Sequence, residues 1–387
     1  MLIGRVHEHE LLEQKYHSGK SEFVALYGRR RVGKTYLIRA VFKHRFTFQL
    51  TGLSEANLKT QLENFNYAVQ EQHPLLKLNP LSSWMEAFQT LKKIIEKSRQ
   101  KKKVIFMDEL PWLDTQNSGF IQALEHFWNS WASARKDILL VVCGSAASWM
   151  IHKLINNKGG LHNRITLRIR VEPFTLKECA SFMKYKKIQL DHYQLIKLYM
   201  VLGGIPFYWD EVQRGMSAAQ NINRLCFMSE GLLSNEFSNL FKSLFNRAER
   251  HEAIVEALAK KSAGLSREEL ILHTGIANGG NFTRLLHELE ESGFIRKYTP
   301  FGKKNRDSLF QLCDFYSLFY MKFMQHTKRT FERDWMKMID NPAHRAWSGY
   351  AFEQLCLMHS NDIKKALGIS GVETSEFSWR STLDTTG

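Results

Sequence analysis

The run GRRRVGKT, residues 28–35, constrains this chain more than any other feature: a glycine-bounded loop ending in Lys-Thr works only between a buried strand and a helix. Its flanks supply both. EFVALY before it is apolar and β-prone, and YLIRAVFKHR after it carries apolar residues at helical spacing. Glycines at Gly28 and Gly33 let backbone N–H groups turn inward around a phosphate chain, and the N-terminal end of the following helix adds positive potential. Nucleotide contacts are therefore assigned to Gly28, Arg29, Arg30, Arg31, Val32, Gly33, Lys34, Thr35 and Tyr36. Lys34 reaches the β- and γ-phosphates, and the Thr35 hydroxyl takes one position on Mg²⁺. The three arginine side chains are expected to point outward as a solvated basic loop.

Such a loop needs an acidic strand end further along, and KKKVIFMDELPWLD provides it. Val104 to Met107 read as a buried strand, with Asp108 at its end to hold Mg²⁺ through water and Glu109 beside it to polarise an attacking water. A further strand, Ile138 to Cys143, ends at Gly144-Ser145, where the Ser145 hydroxyl is placed to sense the γ-phosphate. FTFQL at 46–50 and TLRIRV at 166–171 complete five strands with helices between them, an α/β fold of the P-loop NTPase kind with a parallel sheet in a sandwich.

Charge bears on partners. Lysine plus arginine number 54 against 39 aspartates plus glutamates, a net charge of +15, which favours a polyanion such as nucleic acid or nucleotide phosphate. The five cysteines lie far apart with no CxxC pair, which points to neither a disulfide framework nor a zinc cluster and fits a reducing compartment. MLIGRVHEHELLEQKYHSGK at the start has no apolar stretch of the signal-peptide kind, and no membrane span is read, so the expected location is cytoplasmic.

The chain resembles the signal-transducing P-loop ATPases described as predominantly archaeal, relatives of the AAA+ group. Beyond the loop and the Asp-Glu pair, the resemblance rests on IGRVHE at 3–8, LTGL at 50–53, CGSA at 143–146, GLHNRITLRIRVEPF at 160–174 and LGGIPFYW at 202–209. It implies ATP and Mg²⁺ as ligands, Gly4 and Arg5 closing over the base, and Arg164 as an arginine finger beside Lys34 and Glu109 in catalysis. It also implies a hinge at Gly203, Gly204 and Pro206, a regulated and slow hydrolysis cycle, and nucleotide-dependent homo-oligomerisation.

Four regions follow: an ATPase core at 1–175, a helical lid at 176–245, a winged helix with its following helix at 246–331, and a segment at 332–387. The winged helix is read from three helical patterns after 248, a capping box at Ser266 and Glu269, a helix stop at Gly293 and a polar turn at KKNRDS. Arg284 on its third helix and Lys303, Lys304 and Arg306 on the wing are the candidate DNA contacts, although Glu288, Glu290 and Glu291 oppose them. A protein-binding module is the rival reading. The segment FYSLFYMKFMQ is expected to be core. DNPAHRAWSGYAFEQLC resembles the opening of a PD-(D/E)XK nuclease-like module, with Glu353 at its first acid, but the strand carrying the metal-binding acids and lysine is not found after it. The expected function is thus an ATP- and Mg²⁺-dependent switch coupled to duplex DNA or a protein partner; the alternative is a DNA-binding regulator with a vestigial ATPase.

Overall fold

The computed structural model describes residues 2–76, 79–156, 159–245, 247–299, 307–325, 335–339 and 341–374. The chain divides into two compact units, 1–172 and 173–387.

The first unit is built on a five-stranded parallel sheet: β1 (Glu22–Tyr27), β2 (Phe46–Thr51), β3 (Lys103–Asp108), β4 (Ile138–Gly144) and β5 (Leu167–Arg170). Spatial order is β2-β3-β4-β1-β5. The strand ending in Gly144 therefore lies between the strand leading to the phosphate loop and the strand ending in Asp108. Register brings Tyr27 beside Gly144 and Thr51 beside Asp108, so the C-terminal strand ends converge.

Both faces of this sheet are covered, which is why β1, β3 and β4 are almost unbroken apolar runs. Phe23 and Ala25 of β1 face a cluster with Leu62, Phe65, Trp84, Phe88, Phe120 and Phe127 from α3 (Leu58–Gln72), α4 (Trp84–Lys97) and α6 (Phe120–Ser130). Leu12 of α1 (Val6–Tyr16) and Leu37, Ile38, Val41 and Phe42 of α2 (Lys34–Phe42) are likewise buried. The Asn57 and Ser83 side chains accept N–H bonds that start α3 and α4. The short helix α5 (Leu110–Leu113) follows β3 directly. After β4 a short turn, α7 (Ala147–Trp149), continues as π-helical turns over Met150–Ile155.

The edge of β2 away from β3 is closed by side chains. The Gln72 carboxamide pairs with both the N–H and the C=O of Gln49 (2.8 Å each), and Asn64 donates to the Thr51 carbonyl.

The second unit opens with helices α8 (Leu176–Tyr185), α9 (His192–Leu202), α10 (Pro206–Asp210), α11 (Ala218–Cys226) and α12 (Glu236–Leu244). Buried Tyr199, Tyr208, Trp209 and Tyr316 fill it with their polar tips satisfied: Tyr208 donates to Glu236 and Tyr316 to the Leu233 carbonyl. Then come α13 (Ala248–Ala259), β6 (Leu265–Ser266), α14 (Arg267–Thr274), α15 (Gly280–Glu291), β7 (Ile295–Tyr298) and β8 (Leu309–Leu312), with an antiparallel sheet in the order β6-β8-β7. Ser266 and Glu269 form a reciprocal capping box, and Gly293 at φ 73° follows the end of α15. The aromatic segment begins α16 (Phe315–Phe319) and is buried. Trp335–Met338 is α17, and α18 (Pro342–Met358) carries Glu353 on an exposed position.

At the expected hinge, Gly203 is left-handed at φ 57°. Gly204 is a point of close approach: a Cβ there would sit 1.9 Å from the Phe174 carbonyl oxygen, and the Phe174 N–H donates to the Gly204 carbonyl at 2.6 Å.

Candidate nucleotide site

The loop between β1 and α2 is shaped by two backbone necessities. Gly28, at φ 137°, passes so close to the last part of the sheet that a Cβ would lie 2.5 Å from the Val171 carbonyl. Gly33, at φ 88°, turns the chain into α2. Arg31 also takes a left-handed conformation at φ 68°.

Lys34 is the first residue of α2 and is only 5% exposed. Its Nζ donates to the carbonyls of Gly28 and Arg29, 2.9 Å each, so the ammonium is held at the mouth of its own loop. Burial pushes its pKa down, opposed by nearby Asp108 and Glu109. Thr35 donates its hydroxyl to Asp108 Oδ2 at 2.7 Å, joining the loop to the end of β3. Burial raises the Asp108 pKa, and the Thr35 hydrogen bond partly offsets that rise. A hydroxyl and a carboxylate in contact at the foot of a phosphate loop suit Mg²⁺, which takes few protein oxygens and completes its shell with phosphate and water.

Glu109 sits at φ 47°, and this turn aims its carboxylate toward β4. Ser145 grips it twice, through its hydroxyl to Oε1 at 2.6 Å and its backbone N–H to Oε2 at 3.2 Å. Ser145 is thus engaged with the acid itself. Arg5, at φ 58° beside Gly4 at φ 64°, is 5% exposed and donates to the Val32 carbonyl (3.0 Å) and to Glu8 (3.3 Å). The segment before α1 is thereby fastened to the phosphate loop.

Other predicted residues fall as follows. Arg29 is 6% exposed, against the expectation that all three arginines point outward; Arg30 and Arg31 are half-buried. The loop wraps tightly enough to take the first arginine into the protein. Val32 is buried and Tyr36 exposed. Arg164 is exposed on the turn before β5, with its N–H bonded to the Leu161 carbonyl and no side-chain bond to Lys34, Asp108 or Glu109 among the described residues. Arg284 is exposed on α15 and touches Asn281 (2.9 Å) and Glu288 (3.8 Å). Lys303, Lys304 and Arg306 lie outside the described residues.

Two residues that bear on the site escaped motif reading. Gly52 donates its N–H to the Asp108 carbonyl, and a Cβ on it would meet the Glu109 carbonyl at 2.7 Å. Gln61, fully buried, binds both the N–H and the C=O of Leu53 and also the Trp112 carbonyl, bracing the strand ends beneath Glu109. The glycine of LTGL was the available signal for the first; Gln61 had none.

A family model for an ATPase domain found predominantly in archaea matches residues 2–212. The chain belongs to this ATPase family. It is a P-loop enzyme that hydrolyses ATP. The ATPase is 24% identical over 358 residues to an uncharacterized protein of Methanocaldococcus jannaschii, covering 92% of this chain and 76% of that one. A shorter match, 44% over 45 residues, is to an uncharacterized ATP-binding protein of the same organism and covers 12% of this chain and 76% of the other. Its fold is similar to that of the Walker-type ATPase of Pyrococcus abyssi, with a TM-score of 0.63 at 17% identity over 83% of this chain and 96% of that one. No helix among the described residues is long and apolar enough to cross a membrane.

Proposed function

We propose that the ATPase is a nucleotide-controlled switch, with hydrolysis at the loop from Gly28 to Tyr36 governing a winged-helix module that docks on duplex DNA. The observation that carries the catalytic part is the Thr35–Asp108 contact with Glu109 adjoining it. Thr35 and Asp108 would hold Mg²⁺, which when bound neutralises phosphate charge in the transition state. Lys34 exchanges its bonds to loop carbonyls for phosphate oxygens, keeping its proton because those oxygens are anionic. Glu109 orients the attacking water and accepts its proton, and Ser145 fixes the direction of that carboxylate. Arg5 holds the Val32 carbonyl, so the segment before α1 reports the state of the loop. Arg164, exposed, serves as an arginine finger toward a second copy of the chain.

The winged-helix reading is supported by helices α13, α14 and α15 followed by the β7-β8 ribbon. The acids on α15 differ in what they contact. Glu288 is bonded to the buried ring of His251 at 2.8 Å, beneath the helix, and Glu291 lies 3.8 Å from His287. At the start of α15, Arg267 braces Asn278 and Gly279 and covers Phe282, leaving Asn281, Thr283 and Arg284 exposed for a groove. Residues 335–339 and 341–374 contribute helices, and we assign them no nuclease chemistry.

The test is Mg²⁺-dependent ATP hydrolysis by the full chain, Lys34→Ala and Glu109→Gln, with and without duplex DNA. Both substitutions are expected to reduce turnover by about 10²-fold or more, Glu109→Gln retaining ATP, and DNA is expected to raise turnover of the parent. Turnover indifferent to DNA would remove the coupling and leave the ATPase; turnover intact in Glu109→Gln would remove Glu109 from catalysis.

A further inference from the structure

One group of cations in the first unit gathers away from the nucleotide loop. KSRQKKK at 97–103 holds five basic residues and no acid. The fold then brings two more basic turns to it. Lys102, 6% exposed, is the knot: its Nζ donates to the carbonyls of Lys20 (2.6 Å), Ser18 (3.1 Å) and Lys136 (3.4 Å). Ser21 tightens the same junction, donating to the Arg135 carbonyl at 2.8 Å and accepting the Ile138 N–H at 3.3 Å.

The turns before β1, β3 and β4 therefore meet at the N-terminal edge of the sheet, opposite the phosphate loop. Each presents a lysine to solvent: Lys20, Lys101 and Lys136 are exposed, and none has an ion pair among the described residues. Two of the acids near them are already engaged, while exposed Glu96 bears on Arg135. Asp137 is shared by Lys103 and Arg135, 2.8 Å each, and Glu22, 1% exposed, is bonded to Lys15. Lys102 has a structural explanation. The three solvent-facing lysines around it have none within the chain, and a polyanion is the ligand whose charge complements all three at once.

We propose that this lysine cluster is a docking surface for the phosphodiester backbone of duplex nucleic acid, separate from the winged-helix module and independent of that reading. The three turns hold no exposed large apolar side chain, which a lipid surface would engage. Gln100, the amide nearest the cluster in sequence, is bonded to Thr47 and the Phe46 carbonyl, so it is not available to read a base. Contacts are to phosphates alone and binding is independent of sequence. The surface lies at the sheet edge away from the loop, so duplex and ATP occupy it and the loop together.

The experiment is fluorescence anisotropy of the full chain on labelled duplexes of two unrelated sequences across a salt series. The parent is compared with Lys20→Gln/Lys101→Gln/Lys136→Gln, and with Lys303→Gln/Lys304→Gln/Arg306→Gln to separate the wing. Neutralising three phosphate contacts is expected to flatten the slope of log K against log salt by about 2–3 and to weaken binding about tenfold or more on both sequences. The single variant Lys136→Gln should flatten it by about 1, a readout that survives if the triple variant folds poorly. Unchanged melting temperature and DNA-free hydrolysis in the triple variant exclude a folding effect. An unchanged slope, a parent that holds no duplex, or a loss confined to phosphatidylserine vesicles or to an acidic peptide would overturn the proposal.

Discussion

Asp108 and Lys34 are both taken out of water, and burial moves each toward its neutral form, the carboxyl upward and the ammonium downward. For Asp108 the sign of the stability effect follows. A carboxyl whose folded pKa exceeds its unfolded value binds its proton more readily in the folded state, so ionisation there is a penalty, complete above the folded pKa and absent below the ordinary aspartate value. Asp108→Asn removes the penalty while keeping an acceptor for Thr35. It is expected to melt higher than the parent at neutral pH, the difference closing as pH falls into the aspartate range, and to lose Mg²⁺-dependent hydrolysis. Lower melting at neutral pH would mean that the charge on the Thr35 bond outweighs burial. Ser145 offers a second test, since its hydroxyl is engaged with Glu109 and is thereby separated from the γ-phosphate sensing expected of it from sequence. Ser145→Ala should lower kcat about tenfold, roughly 1.4 kcal/mol, with ATP affinity unchanged. A rise in kcat would instead make Ser145 a restraint on Glu109.

Among the elements, close backbone approaches carry more of the architecture than propensity does. Gly28 lets the loop lie against Val171, and Gly204 lets the turn after α9 lie against Phe174. A methyl group at Gly204 has no room, because the atom it meets is backbone oxygen at 1.9 Å. Gly204→Ala is therefore expected to destabilise the second unit by about 2–4 kcal/mol in denaturant unfolding, with the first unit unaffected. A cost under about 1 kcal/mol would show that this turn relaxes freely. The β2 edge follows the same logic: Gln72 supplies one amide in place of a neighbouring strand, so the sheet ends there without presenting open N–H and C=O groups at Gln49.

For the whole molecule, a switch requires that ATP and duplex affect each other's binding equally. If ATP tightens DNA binding by some factor, DNA must tighten ATP binding by the same factor, and titrations in both directions with Glu109→Gln, which prevents turnover, measure it. Unequal factors would exclude a simple linked equilibrium; factors of one would exclude the switch. The strands, the phosphate loop and the Lys34, Thr35, Asp108 and Glu109 set were legible in the sequence because each depends on local causes: apolar runs for buried parallel strands, glycines for the turn, and charged groups fixed at strand ends. Strand order is not local. Placing β4 between β1 and β3 is what sets Ser145 on Glu109, a side-chain contact that chain order alone does not reveal. The burial of Arg29, the grip of Arg5 on Val32, the pairing of His251 with Glu288 and the meeting of three basic turns at Lys102 likewise join residues whose contact arises only when elements distant in sequence pack together. Local sequence was enough to point to the candidate catalytic groups and to the layers that carry them; which side chains hold those groups in place, and which basic turns come together, depends on side-chain direction and on which loops share an edge of the sheet, and only tertiary packing settles those.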